Sequence, residues 1–264
     1  MNGMYLWRDE QMPHQLFHSY QFTEIERQQM DFDGHLAYQG LLTKEAQRNL
    51  TEALAHIQSL DTVEGYEPNR FAAEYNSYLE SLITHPQMLE LVHKVLGNDI
   101  RYDHCVTLNR PGDNGGSRWH SHGYSEDDTN LGFIRIFFYV NGFEINDGGL
   151  TVVPGSHLFR DNKIHAESDA DLEANWLRSK QHPITDQPLV IEHLSVPTGT
   201  VILMWTHAAH GVTARQADSD TRWTVVYAYR NPGKPSGARW ISQAYEDQKR
   251  SDPDSELKDL ISLY

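Results

Sequence analysis

Apolar residues recur along this chain at two periods, and the switch between them divides it. In the first third the spacing is helical. Leu50, Leu54 and Ile57 lie three or four residues apart within 41–60, a run that Thr43 can cap and whose first turn takes Glu45 and Ala46. A second helix is expected over 70–82. A third is expected over 86–96, with Met88, Leu91, Val92 and Val95 as its buried stripe and Gly97 as its stop. From residue 100 the period shortens to two. Residues 102–109, 132–140, 150–153, 189–196, 201–206 and 222–230 read as strands, separated by Gly-, Pro- and Asn-rich turns such as 110–116 and 146–149. In 132–140, Ile134, Ile136 and Phe138 take one face, and Arg135, Phe137 and Tyr139 take the other. Residues 1–31 scatter Trp7, Phe17, Tyr20 and Phe22 among polar positions and read as an arm on the outside of the core. Residues 32–40 read as a short strand entering a turn. A polar excursion over 158–188 is helical near 169–178, and the polar tail from 231 ends in a helix over 255–263. Helices first and short strands afterwards give an α+β chain, mainly β, with an antiparallel sandwich or barrel braced by N-terminal helices.

Composition narrows the function. A chain of 264 residues is long enough for a sizeable core. Its one cysteine, Cys105, excludes an intramolecular disulfide and suits a reducing compartment, so a cytoplasmic location is expected. The net charge of −15 speaks against a nucleic-acid partner, because neutralising phosphates takes clustered Lys and Arg. No apolar run is long enough to cross a bilayer, and residues 1–8 lack a basic stretch followed by an apolar one, so neither a membrane span nor a secretory leader is expected. The expected partner is a small-molecule substrate. No sequence feature speaks to oligomeric state.

Candidate chemistry gathers at Trp119-His120-Ser121-His122-Gly123-Tyr124. In an extended strand His120 and His122 point to the same face, roughly 7 Å apart along the backbone. Two imidazoles so placed can converge on one metal ion. A third ligand must come from elsewhere in the chain, and His210 is the best candidate, with His207 as its rival. Asp127 or Asp128 could supply a carboxylate by a loop detour. Two ligands close in sequence and one distant is how a β-barrel builds a facial Fe(II) site with positions left open.

Four segments in order carry a family resemblance. Phe32-Asp33-Gly34 with the helix start at 41–45 comes first. Asn109-Arg110-Pro111-Gly112 leading to Trp119-His120-Ser121-His122 comes second. Asp147-Gly148-Gly149 leading to Pro154-Gly155-Ser156-His157 is third, and Gly199-Thr200 through His210 to Arg222 is fourth. Over roughly residues 30–230 the chain resembles the phytanoyl-CoA dioxygenase family of Fe(II)- and 2-oxoglutarate-dependent oxygenases. The resemblance implies a double-stranded β-helix, or jelly roll, and a decarboxylating oxidation. Iron would bind 2-oxoglutarate through its keto and adjacent carboxylate oxygens, O2 would be split, and succinate and carbon dioxide would leave while a substrate C–H bond is oxidised. On that reading residues 1–264 form one oxygenase domain: an arm (1–31), helical support (32–99), the jelly-roll core (100–230) with its insertion (158–188) over the mouth, and a tail (231–264).

The resemblance also assigns roles. His120, His122 and His210 are the metal and catalytic residues, although the family pattern has a carboxylate where this chain has His122. An imidazole there fills the space that halogenating relatives leave for chloride. Arg222 is expected to grip the far carboxylate of 2-oxoglutarate, because its planar fork suits a carboxylate and stays charged when buried. Phe137 would line that pocket, and Thr213 would replace a hydroxyl that relatives carry at the position of Val212. Arg135, on the face of Phe137 and Tyr139, is expected to meet an anionic group of the substrate or cosubstrate, with Tyr139 and Tyr124 on the substrate side; Trp119, Tyr124 and Trp205 could wall the pocket, though core packing is the plainer reading for each. The Pro-Gly-Ser-His segment is given no chemistry. Two other readings stay open: a binding protein on the same fold with altered or lost metal chemistry, and a three-histidine dioxygenase that needs no 2-oxoglutarate.

Overall fold

A computed structural model describes residues 15–123, 128–233 and 239–262. Helix α1 (Glu24–Asp33) opens with a capping box. The Thr23 hydroxyl accepts from the Glu26 N–H, and the Glu26 carboxylate accepts from the Thr23 N–H. After β1 (His35–Tyr38), helix α2 (Lys44–Leu60) is capped by Thr43 as its sequence predicts, and it buries Ala46, Leu50, Ala53, Leu54 and Ile57. The helix expected over 70–82 is two short ones, α3 (Ala72–Tyr75) and α4 (Ser77–Ser81). Asn76 breaks it: its backbone is extended, and its side-chain oxygen accepts from the Leu79 N–H to start α4. Helix α5 (Pro86–Leu96) has the expected bounds, with proline in its first turn and Gly97 at its end.

The strands that follow are β2 (Arg101–Thr107), β3 (Ser117–His120), β4 (Phe133–Tyr139), β5 (Leu150–Val152), β6 (His165–Ala166), β7 (Glu192–His193), β8 (Thr200–Trp205), β9 (His210–Val212) and β10 (Thr224–Arg230). They form two antiparallel five-stranded sheets, ordered β1-β8-β4-β10-β2 and β6-β3-β9-β5-β7. The first is covered on both faces. Ile134, Ile136, Phe138, Val225, Tyr227 and Tyr229 pack on the helices, and the Tyr227 and Tyr229 hydroxyls donate to the Leu79 and Ile83 carbonyls. Phe137, Tyr139, Ile202 and Val226 face Leu150 and Val152 of the second sheet. The alternation read for 132–140 is therefore the one observed.

The architecture is mixed α and β, related to the double-stranded β-helix. It is not mainly β: helix makes up 31% of the described residues and strand 24%, and no barrel closes. The second sheet explains the difference, because several of its strands are only two or three residues long. The expected strand over 189–196 shrinks to β7. Residues 15–31 are not an outer arm. Leu16, Phe17 and Met30 are fully buried, the Phe17 ring lies 5.8 Å from Phe138, and the Gln87 side chain binds the backbone of both Leu16 and Phe17. The insertion 158–188 contributes α6 (Asp169–Asn175), but most of it packs on the outer face of the second sheet. There Ile164, Leu172 and Leu177 meet Trp119, whose indole N–H donates to Asp169. The polar tail holds an unexpected helix, α7 (Gln243–Ser251), capped by Ser242, before the short α8 (Lys258–Ile261). Among the described residues no helix is long and apolar enough to cross a membrane.

The Pro-Gly-Ser-His turn is a latch. Helix α1 ends on carbonyls with no intrahelical partner. The His157 Nε2–H donates to the Asp31 carbonyl (3.0 Å), the His182 Nε2–H to that of Phe32 (3.2 Å), and the Gly155 N–H to that of Asp33 (2.9 Å). Gly34 and Gly155 permit the approach, since a Cβ on either would collide with the His157 or His182 ring. On its other side the turn reaches β9: the Ser156 hydroxyl accepts from the Ala209 N–H (2.8 Å). Burial pushes the His157 imidazole down to about 4. As pH falls from about 6.5 towards 4, the unfolded chain takes up this proton before the folded one does. The latch therefore loses up to roughly 3 kcal/mol of native stability across that window. In urea denaturation from pH 7 to pH 4, His157→Gln, which keeps an N–H donor but does not titrate, should flatten the profile. An unchanged profile would remove His157 as its source.

Candidate metal centre

His120 ends β3 and His210 begins β9, and the antiparallel register sets them directly opposite each other. His122 lies past the end of β3, where its backbone N–H donates to the Thr206 carbonyl (3.3 Å). The pair thus straddles the end of a strand rather than sharing one. The ring centroids are 4.2 Å apart for His120 and His210, 4.9 Å for His120 and His122, and 5.3 Å for His122 and His210. One ring nitrogen from each lies within 4.8 Å of the others. Nitrogens about 2.1 Å from a shared ion can be at most about 4.2 Å apart, so small ring rotations close the set.

The backbone chooses which nitrogens are offered. The Nδ1–H of His120 donates to the Arg118 carbonyl and that of His210 to the Ala208 carbonyl, both at 2.8 Å. That leaves the two Nε2 lone pairs for a metal. Burial pushes all three imidazoles down, and the positive charge of Arg135 adds to it, so they are neutral at physiological pH. Neutral nitrogen donors facing one point suit a first-row divalent metal. The cluster holds no carboxylate. The Asp128 side chain is exposed and accepts from the Asn130 N–H instead, and Asp127 lies outside the described residues. His207 sits on the turn after β8 and does not join the cluster.

A second cationic group lies deeper between the sheets. Arg222 is 1% exposed and stacks over Tyr139 (5.4 Å) and Phe143 (5.9 Å). Its Nε and Nη1 have no hydrogen-bond partner, and burial lowers its pKa to about 10, so it stays protonated. Asp147 is the nearest obvious counter-ion, but its carboxylate is committed to Arg215 (2.9 Å), the Gln216 N–H (2.8 Å) and the Ser219 hydroxyl (2.7 Å). Gly148, at φ +73°, leaves space for Arg222: a Cβ there would stand 3.1 Å from Nη1 and collide with Arg215. An enclosed guanidinium with spare donors is costly unless an anion meets it.

The remaining expected site residues divide. Arg135 and Phe137 line the inner face of β4, and the charge of Arg135 reaches all three histidines. Tyr139 shares that face but lies against Arg222, which places it at the guanidinium end rather than beside a substrate at the metal. The Thr213 hydroxyl has a different task from the one expected: it donates to the Ile145 carbonyl and accepts from the Gly149 N–H, both at 2.8 Å, and so braces the Asp-Gly-Gly turn. Trp119 packs in the outer core, and Trp205 lies half-buried under Arg27. Tyr124 lies outside the described residues. Two features went unread in the sequence. A bulge opposite Ala228 and Tyr229 accompanies a fully buried, hydrogen-bonded Asp103–His104 pair (2.8 Å). Arg110, read as part of a turn, pairs with Arg222 through reciprocal backbone hydrogen bonds of 3.0 and 2.8 Å.

The geometry has counterparts among known proteins. Solved structures of the same fold include HygX from Streptomyces hygroscopicus with nickel, 2-oxoglutarate and hygromycin B bound (TM-score 0.61, 16% identity, 89% of this chain and 94% of that one). They also include the α-ketoglutarate-dependent carbocyclase SnoK from nogalamycin biosynthesis (TM-score 0.60, 18% identity, 80% and 84%) and the epimerase SnoN from the same biosynthesis (TM-score 0.58, 16% identity, 87% and 90%). No curated protein matches the sequence significantly. The sequence profile of phytanoyl-CoA dioxygenase (PhyH) matches residues 30–222, a span that contains the three histidines and Arg222, and the chain belongs to that family.

Proposed function

We propose that this protein is an Fe(II)/2-oxoglutarate-dependent oxygenase acting on a small organic molecule, with C–H hydroxylation as its simplest outcome. One observation carries the reading: three neutral imidazoles of the second sheet face a common point, and a buried guanidinium with unused donors lies against the inner face of the first. His120, His122 and His210 would hold the iron. Iron with bound 2-oxoglutarate supplies, on reaction with O2, the oxidation of a C–H bond, with succinate and carbon dioxide as by-products. The chain does the positioning. Arg222 would hold the far carboxylate through paired N–H donors and so fix how the dicarboxylate enters. Phe137, Tyr139 and Phe143 would exclude water from that contact and strengthen it. Arg135, beside the histidines, would meet an anionic or strongly accepting group of the substrate. HygX with hygromycin B bound, and SnoK and SnoN from nogalamycin biosynthesis, support an organic metabolite as the substrate here.

His122 sets this site apart from the usual two-histidine, one-carboxylate arrangement. Three neutral ligands leave the full charge of a divalent metal uncompensated until an anion binds, which favours the dianionic cosubstrate. Arg222 is what favours this reading over a three-histidine dioxygenase that needs no 2-oxoglutarate.

Anaerobic calorimetry with Mn(II) should find one site per chain, lost in His210→Ala and weakened tenfold or more in His122→Ala. With Fe(II), ascorbate and a library of small metabolites, succinate should be released in step with 2-oxoglutarate loss. The reading would be falsified if metal binds but no succinate forms under any condition. Gly148→Ala should weaken 2-oxoglutarate binding at least tenfold while leaving Mn(II) affinity unchanged, because it pushes Arg215 and Arg222 aside without touching the histidines.

A further inference from the structure

Arg110 lies just past β2 and Arg222 just before β10. Each donates its backbone N–H to the other's carbonyl. In an antiparallel sheet such a doubly bonded pair puts both side chains on one face, about 5.5 Å apart at Cα. Arg110 therefore stands beside Arg222 and faces the same interior. Its positive charge is felt at Arg222, at Tyr139 and, unlike that of Arg222, at His120. Its guanidinium therefore lies within electrostatic reach of both His120 and Arg222. It is held there by one bond, from Nη1 to the Asn114 side-chain oxygen (2.7 Å). Its Nε is buried and has no partner, as with Nε and Nη1 of Arg222. Among the described residues no carboxylate lies within ion-pair distance of either arginine. Two like charges side by side, one of them fully buried, repel, and one small dianion lying along both would settle them together.

We infer that Arg110 is a second guanidinium contact to the far carboxylate of 2-oxoglutarate, paired with Arg222 in a two-arginine clamp. The inference rests on the oxygenase reading and adds a positioning residue to it. In the clamp Arg222 presents its fork end-on while Arg110 Nε–H reaches the carboxylate from the metal side. Asn114 keeps the Arg110 guanidinium from swinging out. The clamp selects 2-oxo acids by their second carboxylate, so a 2-oxo monoacid gains nothing from Arg110.

The test titrates the Mn(II)-loaded protein, without O2, with 2-oxoglutarate and separately with 2-oxobutanoate, which lacks the far carboxylate. In Arg110→Gln, 2-oxoglutarate should bind at least tenfold more weakly, the scale of a lost charge-assisted hydrogen bond. Mn(II) and 2-oxobutanoate affinities should not fall. Arg110→Lys should recover part of the loss, and it carries the same comparison if the glutamine variant does not fold. Unchanged 2-oxoglutarate affinity in a folded Arg110→Gln overturns the clamp, as does an equal loss for both 2-oxo acids. A wild-type protein that binds Mn(II) but not 2-oxoglutarate overturns the oxygenase reading itself and the clamp with it.

Discussion

The pairing of His120 with His210 across β3 and β9 is the constraint on which the rest depends. A one-residue slip between those strands would turn one imidazole to the outer face, where Trp119 packs. Register is held on both sides. β9 also pairs with β5, setting His210 opposite Val152, and β5 is anchored between the sheets by Leu150 and Val152. The two Nδ1 bonds to backbone carbonyls then fix ring orientation, so both lone pairs are aimed before any ion arrives.

The interior so framed is rich in cations for a protein whose net charge is −15. Arg110, Arg135 and Arg222 all look into the space between the sheets, Arg135 towards the three histidines and Arg222 at the Tyr139 end, and Asp147, the acidic group whose charge reaches Arg222, is committed to Arg215. Negative charge at the surface and positive charge in the cleft are compatible because the low-dielectric walls focus the local field rather than the net one. With His122 where relatives carry a carboxylate, the histidine cluster adds no negative charge to offset that bias. An anionic ligand therefore finds counter-charges inside the protein.

Much of this was legible in the sequence because periodicity reports burial. Helix α5 and strand β4 have alternations that nothing else in the chain contradicts, and their faces came out as read. The histidine pair was legible as two imidazoles of one extended stretch, and Arg222 through the family resemblance. What failed to show has local physical causes. Asn76 is polar enough to continue a surface helix yet caps the next one better. Helix α7 buries only Tyr245 and Glu246, so it has no apolar stripe to detect. Leu16 and Phe17 lack a repeating pattern because they are buried by a single extended segment and a side-chain anchor, Gln87. Arg110 was masked by its own neighbours: Pro111 and Gly112 announce a turn, while the arginine before them still belongs to the sheet. Thr213 has the right chemistry near the right place, but its hydroxyl is taken by the Asp-Gly-Gly turn.

The latch at the end of α1 reaches further than helix capping. Gly155, His157 and His182 grip the helix, and Ser156, within the same turn, holds the backbone of Ala209, the neighbour of His210. A mechanical linkage therefore runs from α1 to the deepest imidazole without passing through the helices that brace the first sheet. Strain introduced near residue 33 has a short covalent and hydrogen-bonded route to the main chain of His210. The segment around α1 is thus part of the scaffold that sets the geometry of the histidine cluster, not an appendage that can be trimmed or rebuilt at will.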